Sequence, residues 1–278
     1  MKVFTTGDGR RLSYADHGTG PVLLCLAGLT RNMDDFEPVV AFASDRARVI
    51  RLDARGRGAS EHDPDYHNYN IMRESMDVVE LLDHLGLERV AVLGTSRGGL
   101  LAMMLAVSHP ERLAGVMLND IGPEIDSAGL AAIMSYLGRA PRFQTLEEAA
   151  AGLPALMGRD FPGFSQDGWQ HYARRLWREG DRGLELRYDP ALRQAVETQA
   201  SAGPVPDLWP MFMALDGVPL ALLRGANSNI LSLKTAAKMQ ALRPDMIYST
   251  VANRGHVPFL DEPEAHDVLT RFLDVLDG

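Results

Sequence analysis

Residues 90–109, VAVLGTSRGGLLAMMLAVSH, predict a short buried strand that turns abruptly into a helix. VAVLG has the apolar character of a buried strand, and GLLAMMLAVSH follows at once with the character of a helix. Ser96 lies at the junction, with Gly94 two residues before it and Gly98 two residues after it. Small residues at these two positions admit the strained backbone of a sharp strand-to-helix turn. The stretch therefore predicts Ser96 at the tip of such a turn.

The rest of the chain repeats this alternation of strands and helices. The first twenty residues predict a hairpin around a Gly-Asp-Gly turn, because VFTT and RLSYADHG flank that turn. Further apolar runs of strand type lie at 22–28, 49–54, 90–94, 113–120, 219–225 and 246–251. Strands that alternate with helices are typical of a mostly parallel sheet covered on both faces. We therefore predict an α/β fold.

Residues 121–215 interrupt the alternation. Their helical stretches are separated by Gly and Pro, and all three tryptophans of the chain (Trp169, Trp177 and Trp209) fall within them. We predict a helical cap over 121–215, inserted after the sixth strand, on a core formed by 1–120 and 216–278. The aromatic and methionine side chains of the cap are expected to line an apolar pocket.

Composition excludes several classes of function. The 278 residues carry a net charge of −9, which argues against nucleic-acid binding because that binding depends on Lys and Arg at phosphates. No apolar run approaches the roughly 18 residues of a membrane helix, and the first residues have no signal-peptide pattern. Cys25, the single cysteine, is expected to be a buried apolar residue, and no metal-ligand spacing or cofactor motif occurs. We expect a cytoplasmic protein without metal or cofactor, and an oligomer is compatible with the sequence.

Ser96 becomes a nucleophile only if a base takes its proton. Of the eight histidines, His256 follows the last predicted strand in STVANRGHVPFLDEP. Because the carboxyl ends of parallel strands share one edge, we expect His256 to lie beside Ser96 there. The pair predicts nucleophilic catalysis with His256 as the base.

Such a reaction also needs donors for a developing oxyanion. The backbone N–H of Arg97, the first residue of the helix after Ser96, is one candidate. The second is the N–H of Leu29, since Gly28-Leu29 turns away from its strand at the same edge. Arg31 and Arg97 flank the predicted nucleophile, so a substrate that bears a carboxylate is one option.

These motifs together resemble the α/β-hydrolase fold superfamily over nearly the whole chain. The resemblance rests on AGLTRN, LDARGRGAS, GTSRGG, SHPERL and RGHVPFLDEP. Within the superfamily the chain is most similar to capped esterases, enol-lactone hydrolases, C–C bond hydrolases and cofactor-free haloperoxidases. The resemblance implies a Ser–acid–His triad in that chain order, an oxyanion hole and a cap after the sixth strand.

The acid of the triad is the open question. The family pattern R-G-x-x-S-D has Asn229 at the place of the Asp, and no Asp or Glu occurs from 217 to 244. Some relatives, haloalkane dehalogenases among them, take the acid from the end of the sixth strand, where this chain has Asp120. Because the rest of the R-G-x-x-S motif is intact, we favour Asn229 as an altered triad position, natural or engineered, over Asp120.

The resemblance implies hydrolysis of a small or medium carboxylic ester or lactone through an acyl-enzyme. The alternatives on the same residues are a C–C bond hydrolase, an aminopeptidase or a perhydrolase. A non-catalytic ligand-binding relative is a further alternative, and Asn229 is its only support.

Overall fold

Eight strands form one sheet in a computed structural model that describes residues 1–203 and 206–277. Their order across the sheet is β1-β2-β4-β3-β5-β6-β9-β10. The strands are β1 (Lys2–Thr5), β2 (Arg11–His17), β3 (Val22–Leu26), β4 (Arg48–Leu52), β5 (Val90–Thr95), β6 (Leu113–Asn119), β9 (Leu220–Gly225) and β10 (Ile247–Val251). Strand β2 pairs antiparallel with β1 and β4, and every other pair of neighbouring strands in the sheet is parallel. The predicted α/β fold and its N-terminal hairpin are confirmed.

Helices cover both faces of this sheet. The α-helices of the described residues are α1 (Glu37–Ala43), α2 (Ile71–His84), α3 (Arg97–Ser108), α4 (Ser127–Tyr136), α5 (Leu146–Met157), α6 (Gln166–Leu176), α7 (Leu192–Ser201), α8 (Trp209–Met213), α9 (Leu233–Leu242) and α10 (Pro263–Asp277). Side chains of α2, α3 and α9 pack on one face, and those of α1 and α10 pack on the other. The strands supply both cores because successive side chains point to opposite faces.

Strand β3 illustrates this alternation. Leu24 and Leu26 enter the first core, and Leu23 and Cys25 enter the second. Cys25 is fully buried, and this burial raises the pKa of its thiol well above the ordinary value. The expectation of a buried, apolar cysteine is confirmed.

The segment between β6 and β9 contains α4 to α8 and also a hairpin. Strands β7 (Trp177–Gly180) and β8 (Gly183–Leu186) pair with each other outside the main sheet. The sequence analysis predicted only helices in this segment, and it was wrong here, because α6 ends at Leu176 and a strand follows. Trp177 and Arg178 belong to a two-stranded ribbon that is too short to show a clear alternation.

Polar contacts attach this segment to the sheet domain. Arg187 donates to Asp34 at 2.7 Å, and the side chain of Asn32 donates to the carbonyl of Arg175 at 3.0 Å. The buried hydroxyl of Tyr69 donates to Asp189 at 2.6 Å. These contacts lie near the carboxyl ends of β3 and β4, so the inserted segment contacts the edge of the sheet at which Ser96 was predicted.

None of the helices in the described ranges combines the length and the apolar character needed to cross a membrane.

Candidate active site

Ser96 lies between the last residue of β5 and the first residue of α3, at the predicted turn. Its backbone has φ 51° and ψ −115°, a conformation that non-glycine residues rarely adopt. The two flanking glycines are sterically required. A Cβ on Gly98 would collide with the carbonyl of Leu26, and one on Gly94 would lie 2.5 Å from the backbone of Gly98.

The structure brings Ser96 and His256 into hydrogen-bond contact. Nε2 of His256 lies 2.9 Å from Oγ of Ser96, although 160 residues separate them in the chain. His256 lies in the loop after β10, and β5 and β10 both end at the same edge of the sheet. The geometry is that of a hydroxyl positioned to pass its proton to an imidazole.

The other ring nitrogen of His256 faces Asp120. Nδ1 lies 2.7 Å from Oδ2 of this carboxylate. Asp120 directly follows β6, is fully buried and has a left-handed φ of 56°, which Asp tolerates better than most side chains. Ser96, His256 and Asp120 therefore form one continuous chain of hydrogen bonds.

The loop after β9 donates to the same carboxylate. The backbone N–H of Gly225 donates to Oδ1 of Asp120 at 2.8 Å, and the hydroxyl of Ser228 donates to Oδ2 at 2.6 Å. Ser228 is itself held in place, because its Oγ accepts from the backbone N–H groups of Ile230 and Leu231. With His256, the carboxylate has three partners that satisfy its buried charge.

This geometry corrects the preference for Asn229. Asn229 is exposed, and its side chain forms no hydrogen bond within residues 1–203 and 206–277. The physical reason is the strand register: Asn119 of β6 pairs with Leu223 of β9, so Asp120 reaches His256 from the neighbouring strand end. The R-G-x-x-S motif marks the loop correctly, but the loop surrounds the carboxylate and does not carry it.

The two predicted oxyanion donors are also found beside Ser96. A Cβ placed on Gly28 would lie 3.6 Å from Cβ of Ser96, so the loop that carries Leu29 packs against the nucleophile. The backbone N–H groups of Leu29 and Arg97 donate no hydrogen bond within the described part of the chain. Both are therefore free to serve a ligand.

A buried ionic network joins the residues that carry these donors. Nε of Arg57 donates to the carbonyl of Leu29 at 2.9 Å, and its Nη1 donates to Glu74 at 2.8 Å. Glu74 also accepts two hydrogen bonds from Arg97, at 2.7 and 3.0 Å. Burial raises the pKa of Glu74, but the two guanidinium groups outweigh it and leave that pKa below its usual value.

Sequence reasoning missed this network. The G-R-G turn that contains Arg57 was interpreted as structural, and nothing in the spacing linked it to Glu74. Arg57, Glu74 and Arg97 line, together with Gly28, a cavity of about 10 Å³. This volume is room for a single water molecule. Nη2 of Arg57 is buried and unpartnered among the described residues, so it is suited to hold such a water.

Another carboxylate fixes the loop that carries His256. Glu262 accepts from the backbone N–H groups of Phe259 and Leu260, both at 2.9 Å, and from Arg254 at 2.7 Å. The ring of Phe259 packs against two cap residues, with centroids 5.1 Å from Phe161 and 4.5 Å from Phe164. Aromatic residues of the inserted segment thus reach the loop that carries His256.

Comparison with known proteins agrees with this architecture. The sequence profile of the α/β hydrolase fold family matches residues 21–263. The chain is 33% identical over 267 residues to the 3-hydroxybutyrate-oligomer hydrolase of Cupriavidus necator, which covers 93% of this chain and 90% of that protein. It is 27% identical over 264 residues to the 2-(acetamidomethylene)succinate hydrolase of Mesorhizobium japonicum, covering 95% of this chain and 91% of that protein.

A solved structure is similar over almost its full length. The crystal structure of an α/β hydrolase from Novosphingobium aromaticivorans superposes with a TM-score of 0.92 at 40% identity, covering 99% of this chain and 97% of that chain. The eight-stranded sheet, the inserted segment after β6 and the profile match over residues 21–263 lead to one conclusion. The chain belongs to the α/β-hydrolase fold family.

Proposed function

We propose that the protein is a serine hydrolase that cleaves a small or medium carboxylic ester or lactone through an acyl-enzyme. The observation that carries this proposal is the chain of hydrogen bonds from Ser96 through His256 to Asp120, with distances of 2.9 and 2.7 Å. Two unpaired backbone N–H groups beside the nucleophile support it further. Acyl transfer requires a nucleophile, a base with an acid partner and donors for the oxyanion, and these groups match that requirement.

In the first half-reaction Oγ of Ser96 attacks the substrate carbonyl and His256 takes the hydroxyl proton. The N–H groups of Leu29 and Arg97 stabilise the oxyanion, and the imidazolium returns the proton to the leaving alcohol as the ester C–O bond breaks. In the second half-reaction water attacks the acyl-enzyme and His256 takes its proton. The bond between the acyl carbon and Oγ of Ser96 then breaks, and the imidazolium returns the proton to Oγ as the carboxylic acid leaves. Asp120 keeps the proton on Nδ1 and stabilises the imidazolium that forms in each step.

The relatives support the ester assignment through their printed names. The Cupriavidus necator relative is named for an oligomer of 3-hydroxybutyrate, a compound whose repeating linkage is a carboxylic ester. The aromatic contacts among Phe161, Phe164 and Phe259 pack the inserted segment against the loop that carries His256.

A hydrolase of another bond type is the second candidate. The Mesorhizobium japonicum relative is named for an acetamido-substituted succinate, not for an ester, so the same machinery is compatible with an amide-type substrate. A non-catalytic role loses its only sequence support, since the acid missing from position 229 has a counterpart in Asp120.

The test compares the wild-type protein with Ser96→Ala on p-nitrophenyl esters, lactones, anilides and β-diketones. We expect turnover of esters or lactones above the other classes, and labelling of Ser96 by a fluorophosphonate that Ser96→Ala abolishes. Higher turnover of anilides or β-diketones would reassign the bond type. A wild-type protein that no fluorophosphonate labels and that cleaves no ester would overturn the proposal.

A further inference from the structure

Arg31 has one buried edge of its guanidinium group that no protein atom satisfies. Its Nε and Nη2 donate to the two carboxylate oxygens of Asp35, at 2.7 and 2.5 Å. Its Nη1 is buried and has no partner within residues 1–203 and 206–277. A buried donor without a partner is costly, so the position indicates a ligand or a water at Nη1.

The guanidinium is held rigidly before any ligand arrives. Asp35 fixes one edge of the planar group, and the ring of Tyr172 lies 4.8 Å from its central carbon. Stacking on an aromatic face and bidentate pairing both restrict the orientation of an arginine. The remaining edge therefore faces a fixed direction, as a preorganised binding group does.

This edge belongs to the same site as Ser96. A Cβ on Gly28 would lie 3.3 Å from Cγ of Arg31 and 3.6 Å from Cβ of Ser96, so both side chains contact one point of the oxyanion loop. Tyr172 connects the arginine to the catalytic loop, since its ring centroid is 5.4 Å from that of Phe259. A small molecule bound at Ser96 is thus within reach of Arg31.

The phenol of Tyr172 lies in the electrostatic field of the same guanidinium. Burial raises the pKa of Tyr172, and the positive charge of Arg31 partly offsets that rise. At Nη1 the guanidinium therefore offers positive charge together with an unpaired donor, the combination that an anion requires.

Arg97, the other arginine beside Ser96, is paired in a similar way, since its Nε and Nη2 both donate to the buried carboxylate of Glu74. The difference between the two lies at Nη1. Of these two arginines, only Arg31 has an Nη1 that is buried and without a partner among the described residues.

We propose that the free edge of Arg31 binds a carboxylate of the substrate, so that the site selects esters or lactones that bear an anionic carboxylate near the scissile carbonyl. This inference rests on the proposed hydrolase function and narrows its substrate class. A planar guanidinium edge matches a carboxylate in geometry as well as in charge.

The test uses two substrates of nearly equal size, one anionic and one neutral: mono-p-nitrophenyl glutarate and the analogue in which a primary amide replaces its carboxylate. The measured quantity is the ratio of kcat/KM for the anionic substrate to kcat/KM for the neutral one. We expect Arg31→Gln to lower this ratio about 10- to 100-fold, as loss of hydrogen bonds to a charged group does. Arg31→Lys should lower it less, and Arg46→Gln, at an exposed arginine paired with Asp274, should leave it unchanged. An unchanged ratio in Arg31→Gln would overturn the proposal.

A measurement on the wild-type protein covers the case in which Arg31→Gln does not fold. Glutarate should inhibit hydrolysis of the neutral ester competitively and at least tenfold more strongly than glutaramide. Equal inhibition by the two compounds would contradict a carboxylate site.

The same ligands separate this proposal from the hydrolase assignment. If the wild-type protein cleaves neither ester, the proposed function fails, and Arg31 is then tested by thermal shift. Glutarate should raise the Tm of the wild-type protein more than that of Arg31→Lys, whereas equal shifts would overturn the carboxylate site.

Discussion

The loops after β6 and after β9 leave neighbouring strands at the same edge of the sheet, yet they contribute opposite groups to the candidate site. The loop after β6 supplies a buried carboxylate, Asp120. The loop after β9 supplies two donors to that carboxylate, from Gly225 and Ser228, and its Asn229 faces solvent. Because β6 and β9 are parallel neighbours in the sheet, the two loops lie side by side. A single carboxylate, supplied by either loop, is therefore sufficient as the partner of His256.

This difference shows that the carboxylate partner of a histidine must lie at the right place beside the ring, and that loops from different parts of the chain can supply it. Asp120 reaches Nδ1 of His256 from the neighbouring strand end, and the loop after β9 supports the carboxylate with hydrogen bonds. Because His256 already has Asp120 as its partner, no second carboxylate is needed at the exposed position 229. The asparagine is thus consistent with an intact triad.

Replacing the acid has the largest expected effect. Asp120→Asn should lower kcat for an ester about ten-thousandfold, because an amide favours the wrong tautomer of the histidine. Asn229→Ala is the matched control at the neighbouring loop and should stay within about threefold of the wild type, a range that surface changes rarely exceed. Steady-state kinetics on folded proteins measures both, and a larger loss in Asn229→Ala than in Asp120→Asn would reverse the comparison.

Removing a donor from the loop after β9 has an intermediate effect. Ser228→Ala should lower kcat about tenfold with little change in KM, since one hydrogen bond to a buried carboxylate is lost. Ser232→Ala is a matched serine in the same segment, where the hydroxyl caps α9 by accepting from the N–H of Thr235. That control should lower the free energy of unfolding by about 1 kcal/mol and leave kcat unchanged. Equal kcat values for the two variants would show that the hydrogen bond from Ser228 to Asp120 does not contribute to turnover.

Adding the acid that the family pattern favours has the smallest effect. Asn229→Asp should change kcat/KM by less than about threefold, because the position is exposed and His256 already has a carboxylate partner. An ester assay beside the wild type measures this. A gain of several hundredfold would restore the view that position 229 is an altered triad acid.

Much of this architecture could be predicted because it follows from local patterns. The turn at Ser96 needs small residues at 94 and 98, and the parallel sheet needs apolar runs at regular spacing, so both are visible in the sequence. His256 was identified because a Gly-His turn follows the last strand. The identity of the acid was not local, since it depends on which of two adjacent strand ends faces the imidazole.

The supporting residues were beyond sequence reasoning for the same reason. Glu74, in α2, joins Arg57 and Arg97 across the fold, and a helical glutamate of this kind reads as a surface residue. The hairpin of β7 and β8 was missed because four-residue strands carry little periodicity. Ser228 did leave a signal, the serine of R-G-x-x-S, but the pattern led us to expect an acid next to it and not a donor.

The most direct test of the central claim observes the proton between His256 and its acid. NMR of histidine-labelled protein should show one ring N–H of His256 shifted far downfield, as a hydrogen bond of 2.7 Å to a carboxylate predicts. We expect Asn229→Ala to keep this signal and Asp120→Ala to lose it. A signal that survives in Asp120→Ala and disappears in Asn229→Ala would contradict Asp120 as the acid partner of His256.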